Sequence, residues 1–139
     1  WDWFSLQLDN EHEIMAYGLR RADGTFDPAS SGTLVFPNGS SQTLAHQDWQ
    51  IAVNRHWTSP TTGARYPHHW SFSIPDAQIE LTVSPRMSNQ ELVTTHSTGV
   101  TYWEGAVDVT GQWQGQDIRG KGYVELTGYA EPYSVKSEK

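Results

Sequence analysis

The sequence predicts an all-β fold because it combines period-two alternation with three hairpin patterns and lacks helical periodicity. Apolar and polar residues alternate over long stretches of the 139 residues, as they do where one face of a strand is buried. Turn-forming residues separate these stretches. The pattern favours an eight-stranded antiparallel β-barrel, with a β-sandwich as the alternative. The expected strands cover residues 2–8, 12–20, 31–36, 42–57, 68–74, 77–85, 101–113 and 116–129.

The first hairpin determines which side chains share a face with Asp2. A turn centred between residues 10 and 11 pairs Asp2 with Leu19 and Phe4 with Tyr17. A slip of one residue would move every side chain to the opposite face. In this register Asp2, Phe4, Met15 and Tyr17 lie together on an apolar face.

Two further hairpins are predicted in the same way, by pairing residues symmetrically about a turn. A turn at residues 76–77 pairs Trp70 with Val83 on an entirely apolar face. A turn at residues 114–115 pairs Trp103 with Leu126. The intervening stretch 86–100 has weak periodicity and is expected to be a long loop.

Composition and charge exclude several classes of protein. Nine Lys and Arg are scattered among 16 Asp and Glu, which gives a net charge of −7 and no basic stripe for nucleic acid. No apolar run is long enough for a membrane span. The absence of Cys excludes disulfides and thiol nucleophiles. The chain opens on Trp1 rather than Met, so we expect that it was trimmed from something longer.

The aromatic content predicts a hydrophobic small molecule as partner. Seven Trp, six Tyr and four Phe exceed what the core of so short a chain requires, and aromatic side chains commonly line ligand pockets. The candidate ligand-binding residues are Phe4, Met15, Trp49, Arg55, Trp57, Trp70, Phe72, Trp103, Glu104, Tyr123 and Glu125.

Three charged residues in this set have alternative interpretations. The third hairpin makes Glu104 and Glu125 cross-strand neighbours, roughly 4.5–5.5 Å apart at Cβ. They form an acid–base pair if their face lines the interior, or a solvated or partner-facing pair if it is outward; the apolar opposite face favours the outward option mildly. Arg55 alternates with apolar residues, which favours a structural ion pair over a position at the barrel rim.

The sequence predicts no bound metal and no cofactor. The adjacent His68 and His69 point to opposite faces of a strand, and no metal-ligand spacing occurs. Nucleophile-elbow and phosphate-binding glycine motifs are also absent.

Four stretches carry a family resemblance: residues 1–9 (WDWFSLQLD), 59–67 (SPTTGARYP), 102–107 (YWEGAV) and 122–129 (GYVELTGY). Together they resemble the AttH-like group, which includes the carotenoid 1,2-hydratases. The resemblance implies a lipocalin-like barrel and a periplasmic or secreted bacterial protein. Members of the group usually carry two such barrels, so residues 1–139 are interpreted as a single domain, the C-terminal half of a two-barrel protein. A second lipocalin-like domain is therefore an expected partner.

The same resemblance implies Asp2 as a catalytic residue, with Tyr17 on its predicted face as a second candidate. A carboxyl on an apolar face has its pKa raised by desolvation, so it could protonate a carbon–carbon double bond. Aromatic faces nearby would stabilise the resulting cation. The alternative is that Asp2 is solvated at the rim or paired with an arginine.

Three functions follow from these observations. The first, which the barrel and the aromatic residues favour, is binding of a lipid or isoprenoid in the interior. The second is acid-catalysed hydration of an isoprenoid double bond, which would make the protein a hydro-lyase. The third is a structural half that packs on a second barrel through an exposed patch including Trp1, Trp3 and Arg20.

Overall fold

The computed structural model describes residues 1–94, 97 and 99–130, and it confirms the all-β prediction. Apart from one 3-10 turn at Pro75–Ala77, the regular elements of the described residues are β-strands. None of these residues belongs to a helix long and apolar enough to cross a bilayer. The strands are β1 (Asp2–Leu8), β2 (Glu13–Gly18), β3 (Ser31–Val35), β4 (Ser41–Ala45), β5 (Gln50–Thr58), β6 (Arg65–Ile74), β7 (Ile79–Pro85), β8 (Glu91–Val93), β9 (Thr101–Trp113) and β10 (Gln116–Thr127).

The strands form one curled antiparallel sheet, a half-barrel with a single core on its inner face. Hydrogen bonding follows the order β4-β3-β2-β1-β10-β9-β7-β6-β5, and β8 pairs with the free part of β9. Every second residue of β1, β6, β7, β9 and β10 points inward, where a continuous apolar cluster fills the curl. Strands β4 and β5 lie at the two ends of this order.

The register of the first hairpin differs by one residue from the predicted one. Asp2 pairs with Gly18 and Phe4 with Ala16, because the connection is a three-residue turn whose last residue, Glu11, has a left-handed φ of 66°. Ile14 and Ala16 therefore face the core, whereas 46% of the Met15 surface is exposed. The expectation that Met15 and Tyr17 share the inner face with Asp2 is wrong.

The other two predicted registers are confirmed. Trp70 pairs with Val83 across β6 and β7, and Trp103 pairs with Leu126 across β9 and β10. Gln114 and Gly115 have φ of 50° and 81°, which is the left-handed geometry that two-residue hairpin turns require. Both predicted registers hold because each turn contains an even number of residues. The centre of each turn therefore falls between two residues, as the predicted pairing assumes.

The predicted strand at 42–57 is two strands. The chain turns after Ala45, where the Asp48 carboxylate accepts a hydrogen bond from the Ala45 N–H at 2.7 Å and the Asp48 N–H donates to the Ala45 carbonyl at 2.9 Å. The alternation continues through this turn, so periodicity alone could not reveal it.

The predicted loop 86–100 contains β8, which covers the end of β9. Just before β8, the Gln90 side chain binds the backbone of β9: its Oε1 accepts from the Ala106 N–H at 2.9 Å and its Nε2 donates to the Ala106 carbonyl at 3.3 Å. Gly105 makes room for this amide, because a Cβ at that position would lie 2.2 Å from Gln90 Cδ. Between β7 and β8 the Gln90 side chain therefore makes the hydrogen bonds to β9 that the backbone of a neighbouring strand would otherwise make.

Candidate active site

A buried ion pair lies at the end of the inner face where β1 begins. Asp2 is only 5% exposed, and its Oδ1 lies 3.1 Å from Arg20 Nη1. The Tyr129 hydroxyl donates to the same carboxylate, 2.9 Å from Oδ1 and 3.0 Å from Oδ2. The arginine pairing that was one of the alternatives for Asp2 is therefore present, but the carboxylate is buried rather than at a solvated rim.

Burial raises the pKa of Asp2, although Arg20 and the Tyr129 hydroxyl act in the opposite direction. Desolvation penalises the ionised carboxylate, while a cation and a donor stabilise it. The net shift is upward from the ordinary value. Asp2 is therefore a carboxyl that can carry a proton at a higher pH than a solvated aspartate can.

Arg20 and Tyr129 support each other as well as Asp2. The guanidinium carbon of Arg20 lies 3.7 Å from the centroid of the Tyr129 ring, within cation–π distance. Arg20 Nη2 also donates to the Thr127 carbonyl at 3.1 Å. Arg20 therefore faces inward, so its predicted place in an outer docking patch is wrong.

A second carboxylate, Glu91, sits among hydroxyl groups on the same inner face. Its oxygens accept hydrogen bonds from Ser59 Oγ at 2.6 Å, Thr62 Oγ1 at 2.8 Å and the Tyr66 hydroxyl at 2.7 Å. These contacts join the β5–β6 connection to β8. Glu91 is half-buried, so the hydroxyl groups replace part of its hydration.

The sheet register places the two carboxylates in one row. Asp2 pairs with Leu126, Leu126 with Trp103 and Trp103 with Glu91. Three strand spacings separate Asp2 from Glu91, about 14 Å along a flat sheet and less along a curled one. Tyr129, which binds Asp2, and Tyr66, which binds Glu91, lie between the two carboxylates, and their ring centroids are 5.7 Å apart.

Both phenols of this cluster stay protonated. Burial is the largest cause that raises the pKa of Tyr66 and of Tyr129, and the neighbouring carboxylates Glu91 and Asp2 raise it further. Each phenol therefore acts as a hydrogen-bond donor near neutral pH. The end of the inner face therefore holds two carboxyl–phenol pairs, Asp2 with Tyr129 and Glu91 with Tyr66.

Most of the predicted aromatic ligand residues fill the interior. Phe4, Trp70, Phe72 and Trp103 are completely buried. Phe4 packs edge-on to Trp70 at 5.4 Å between centroids, and Trp49 stacks on Phe72 at 5.9 Å. These residues face the interior as predicted, but they pack on one another; their role in ligand binding stays a prediction.

An open groove remains at the opposite end of the curl. It has a volume of about 490 Å³ and lies between β2–β4 and the β6–β7 and β9–β10 turns. Its lining mixes apolar with polar side chains. The lining residues are His12, Leu34, Phe36, Gln42, Leu44, Asp48, Ile74, Asp76, Ala77, Trp113 and Gln114.

The carboxylate pair predicted on the last hairpin lies on the outer face. Glu104 and Glu125 are cross-strand partners, as predicted, but the neighbouring Trp103, Val124 and Leu126 point into the core. The outward option is therefore correct. Tyr123 lies on the same outer face and is 41% exposed, so neither it nor the glutamates line the interior.

The remaining candidates on β5 are separated by a bulge. The β5–β6 register shifts on both sides of Arg55, which is exposed opposite His69. Among the described residues no carboxylate lies within ion-pair distance of Arg55, so its structural ion pair stays a prediction. Trp57 lies nearer the site, because its ring stacks on Tyr66 at 6.1 Å.

Sequence reasoning missed Tyr129, Tyr66 and Glu91. Tyr129 ends the stretch 122–129, and the preceding Gly128 has a φ of 90°, a left-handed conformation that turns the chain after β10. A Gly–Tyr pair directly after a strand was the available signal. In the part of the chain described, no three His, Asp or Glu side chains group as metal ligands would.

Residues 1–129 match the AttH-like family. The dehydratase asqC of Emericella nidulans is 25% identical over 130 residues, which are 91% of this chain and 37% of that protein. The crystal structure of a candidate AttH from Nitrosomonas europaea has a TM-score of 0.81 at 33% identity, over 94% of this chain and 38% of that one.

The crystal structure of kievitone hydratase from Nectria haematococca has a TM-score of 0.70 at 22% identity, over 96% of this chain and 40% of that one. This likeness concerns the fold. The lipocalin-like prediction is confirmed by these neighbours. The chain spans less than half the length of each of the three relatives.

Proposed function

Because the chain belongs to the AttH-like family, we propose that it takes part in adding water to, or removing water from, a hydrophobic small molecule. The observation that carries this proposal is the buried carboxyl of Asp2, whose pKa is raised by burial. The similarity to a protein named as a dehydratase points to the same class of reaction. The chain covers only part of that protein, so the activity is proposed for the protein in which this domain operates.

In the hydration direction the protonated Asp2 donates its proton to one carbon of a double bond. The carboxylate that remains is held by Arg20 and by the Tyr129 hydroxyl, both already in place before the reaction. The positive charge on the substrate would be stabilised by the buried aromatic face of Phe4 on the same strand. Dehydration uses the same groups in reverse, with Asp2 receiving the proton.

The test compares Asp2→Asn with the parent protein on an acyclic carotene, lycopene. Asparagine keeps the shape of the side chain and one acceptor oxygen but cannot supply the carboxyl proton, so we expect hydrated product to fall by about 10²–10⁴-fold. Mass spectrometry of the extracted carotenoid, with the reaction run in ¹⁸O-labelled water, measures the product.

The matched control is Asp108→Asn, which removes an aspartate that pairs with Arg86 at the surface. Product should form at the parent rate in this variant. Equal rates for Asp2→Asn and the parent would exclude Asp2 as the proton donor.

A second candidate function is binding without chemistry, which the groove of about 490 Å³ favours. Its lining includes the apolar Leu34, Leu44 and Ile74 together with the polar Gln42 and Asp48, a combination typical of sites for amphipathic molecules. Organic extraction of the purified protein followed by mass spectrometry would reveal a retained lipid. Uptake of a fluorescent fatty acid that Leu44→Trp abolishes would assign binding to this groove.

A further inference from the structure

His68 has a buried ring nitrogen without a partner. The residue lies on β6 between Tyr66 and Trp70, whose side chains are completely buried on the inner face. Its Nε2 has almost no exposed surface and no hydrogen-bond partner among the described residues. Buried polar atoms are nearly always paired, so an unpaired one marks a place where another polar molecule belongs.

The neighbours of His68 bring it to the same level of the interior as Asp2. Two residues before it, Tyr66 contacts Tyr129, which binds Asp2. Two residues after it, Trp70 packs on Phe4, which lies two residues beyond Asp2 on β1. His68 and Asp2 therefore occupy corresponding positions on strands that face each other across the curl.

The other ring nitrogen of His68 determines what Nε2 can do. Nδ1 of His68 lies 3.1 Å from Nδ1 of His69, so one of the two rings donates the proton that they share. When His68 is the donor, its buried Nε2 carries a free lone pair. A neutral imidazole in this tautomer is a proton acceptor.

Resting on the proposed function, we propose that His68 is the base that activates water in this site. Asp2 transfers its proton to one alkene carbon, and the water oxygen bonds to the other carbon. As that C–O bond forms, the water gives one proton to His68 Nε2. The product is the alcohol, and proton transfer from the imidazolium to the Asp2 carboxylate restores the starting state. Dehydration runs these transfers backwards.

The pKa values of His68 and Asp2 are shifted in the directions that the proposed reaction requires. Burial lowers the pKa of His68, and the neighbouring His69 and Arg55 lower it further. Burial raises the pKa of Asp2. A productive site requires neutral His68 together with protonated Asp2, and the opposite shifts increase the share of molecules in that state.

The experiment compares His68→Gln with His56→Gln, an exposed histidine on β5. We expect His68→Gln to lower hydration of lycopene by about 100-fold, while His56→Gln stays within about threefold of the parent. Added imidazole should restore part of the activity of His68→Ala. A positional role would show no such rescue.

Nuclear magnetic resonance of the ¹⁵N-labelled parent provides a test that needs no variant to fold. We expect the His68 Nε2 signal to be that of an unprotonated nitrogen at neutral pH, and to shift when geraniol is added. A proton on Nε2 would overturn the inference, because that nitrogen could not accept another.

The outcomes separate the two proposals. If Asp2→Asn is inactive and His68→Gln is as active as the parent, the role of His68 is wrong and the proposed function stands. If the protein in which this domain operates yields no hydrated product, both are wrong.

Discussion

The Tyr66 and Tyr129 rings lie 5.7 Å apart, and each hydroxyl donates to a different carboxylate. Tyr129 binds Asp2 on β1, and Tyr66 binds Glu91 on β8. Through this contact the first residue of β1, the beginning of β6 and the segment after β10 meet at one end of the curl. The candidate site is thus built from parts of the chain that are far apart in sequence.

The pH dependence of stability should report the buried Asp2. Its pKa in the folded state is raised from the ordinary value, so the folded protein holds this proton more tightly than the unfolded chain. The stabilising contribution is full below the unfolded pKa of about 4 and is lost as pH rises through the folded pKa. Relative to Asp2→Asn, the parent should therefore lose stability as pH increases above this value.

Urea unfolding of the parent and Asp2→Asn at several pH values measures this difference. The comparison removes the contributions of Asp23 and Asp27, whose pKa values are lowered by hydrogen bonds and which act in the opposite direction. If the parent instead gained stability over Asp2→Asn with rising pH, Arg20 and Tyr129 would outweigh burial.

Alkaline conditions should destabilise the protein through Tyr129. The folded-state pKa of this phenol is raised, mainly by burial and next by Asp2, so its stabilising contribution is full below the unfolded pKa of about 10 and is lost as pH rises through the folded pKa. The free energy of unfolding should therefore fall progressively above about pH 10. The decline should be shallower in Tyr129→Phe, and shallower again when Tyr66→Phe is added. Identical slopes in the three proteins would contradict this.

The observed register of the first hairpin predicts that alanine substitutions at two adjacent residues differ strongly in their effect on stability. Ile14 is 1% exposed, so Ile14→Ala should cost about 2–4 kcal/mol of unfolding free energy. Met15 is 46% exposed, and Met15→Ala should change stability by no more than about 0.5 kcal/mol. Chemical denaturation measures both values. The reverse order would restore the register predicted from sequence.

Gly105 should tolerate no side chain while Gln90 is present. A Cβ would lie 2.2 Å from Gln90 Cδ, so Gly105→Ala should cost about 1–3 kcal/mol and displace the segment before β8. In a Gln90→Ala background the same substitution should cost much less, because the clash is gone. A double-mutant cycle by urea unfolding gives the coupling energy. Additive costs would show that Gln90 does not occupy this space.

The sequence alone determined the fold class and two of the three hairpins. Period-two alternation is a local property, so it identified most strands, including β6, β7, β9 and β10. It failed where the alternation continued through a turn, as at Asp48, and where the turn had an odd number of residues, as before Glu13. The second failure moved Met15 and Tyr17 to the wrong face.

Only the tertiary structure decided the composition of the site. Asp2 was identified from its motif and its predicted apolar face, but its partners Arg20 and Tyr129 come from a loop and from a segment beyond the last strand. Neither position carries a periodic signal. The curl of the sheet sets these contacts, and it is a property of the packed inner face as a whole, so no local pattern of residues could specify them.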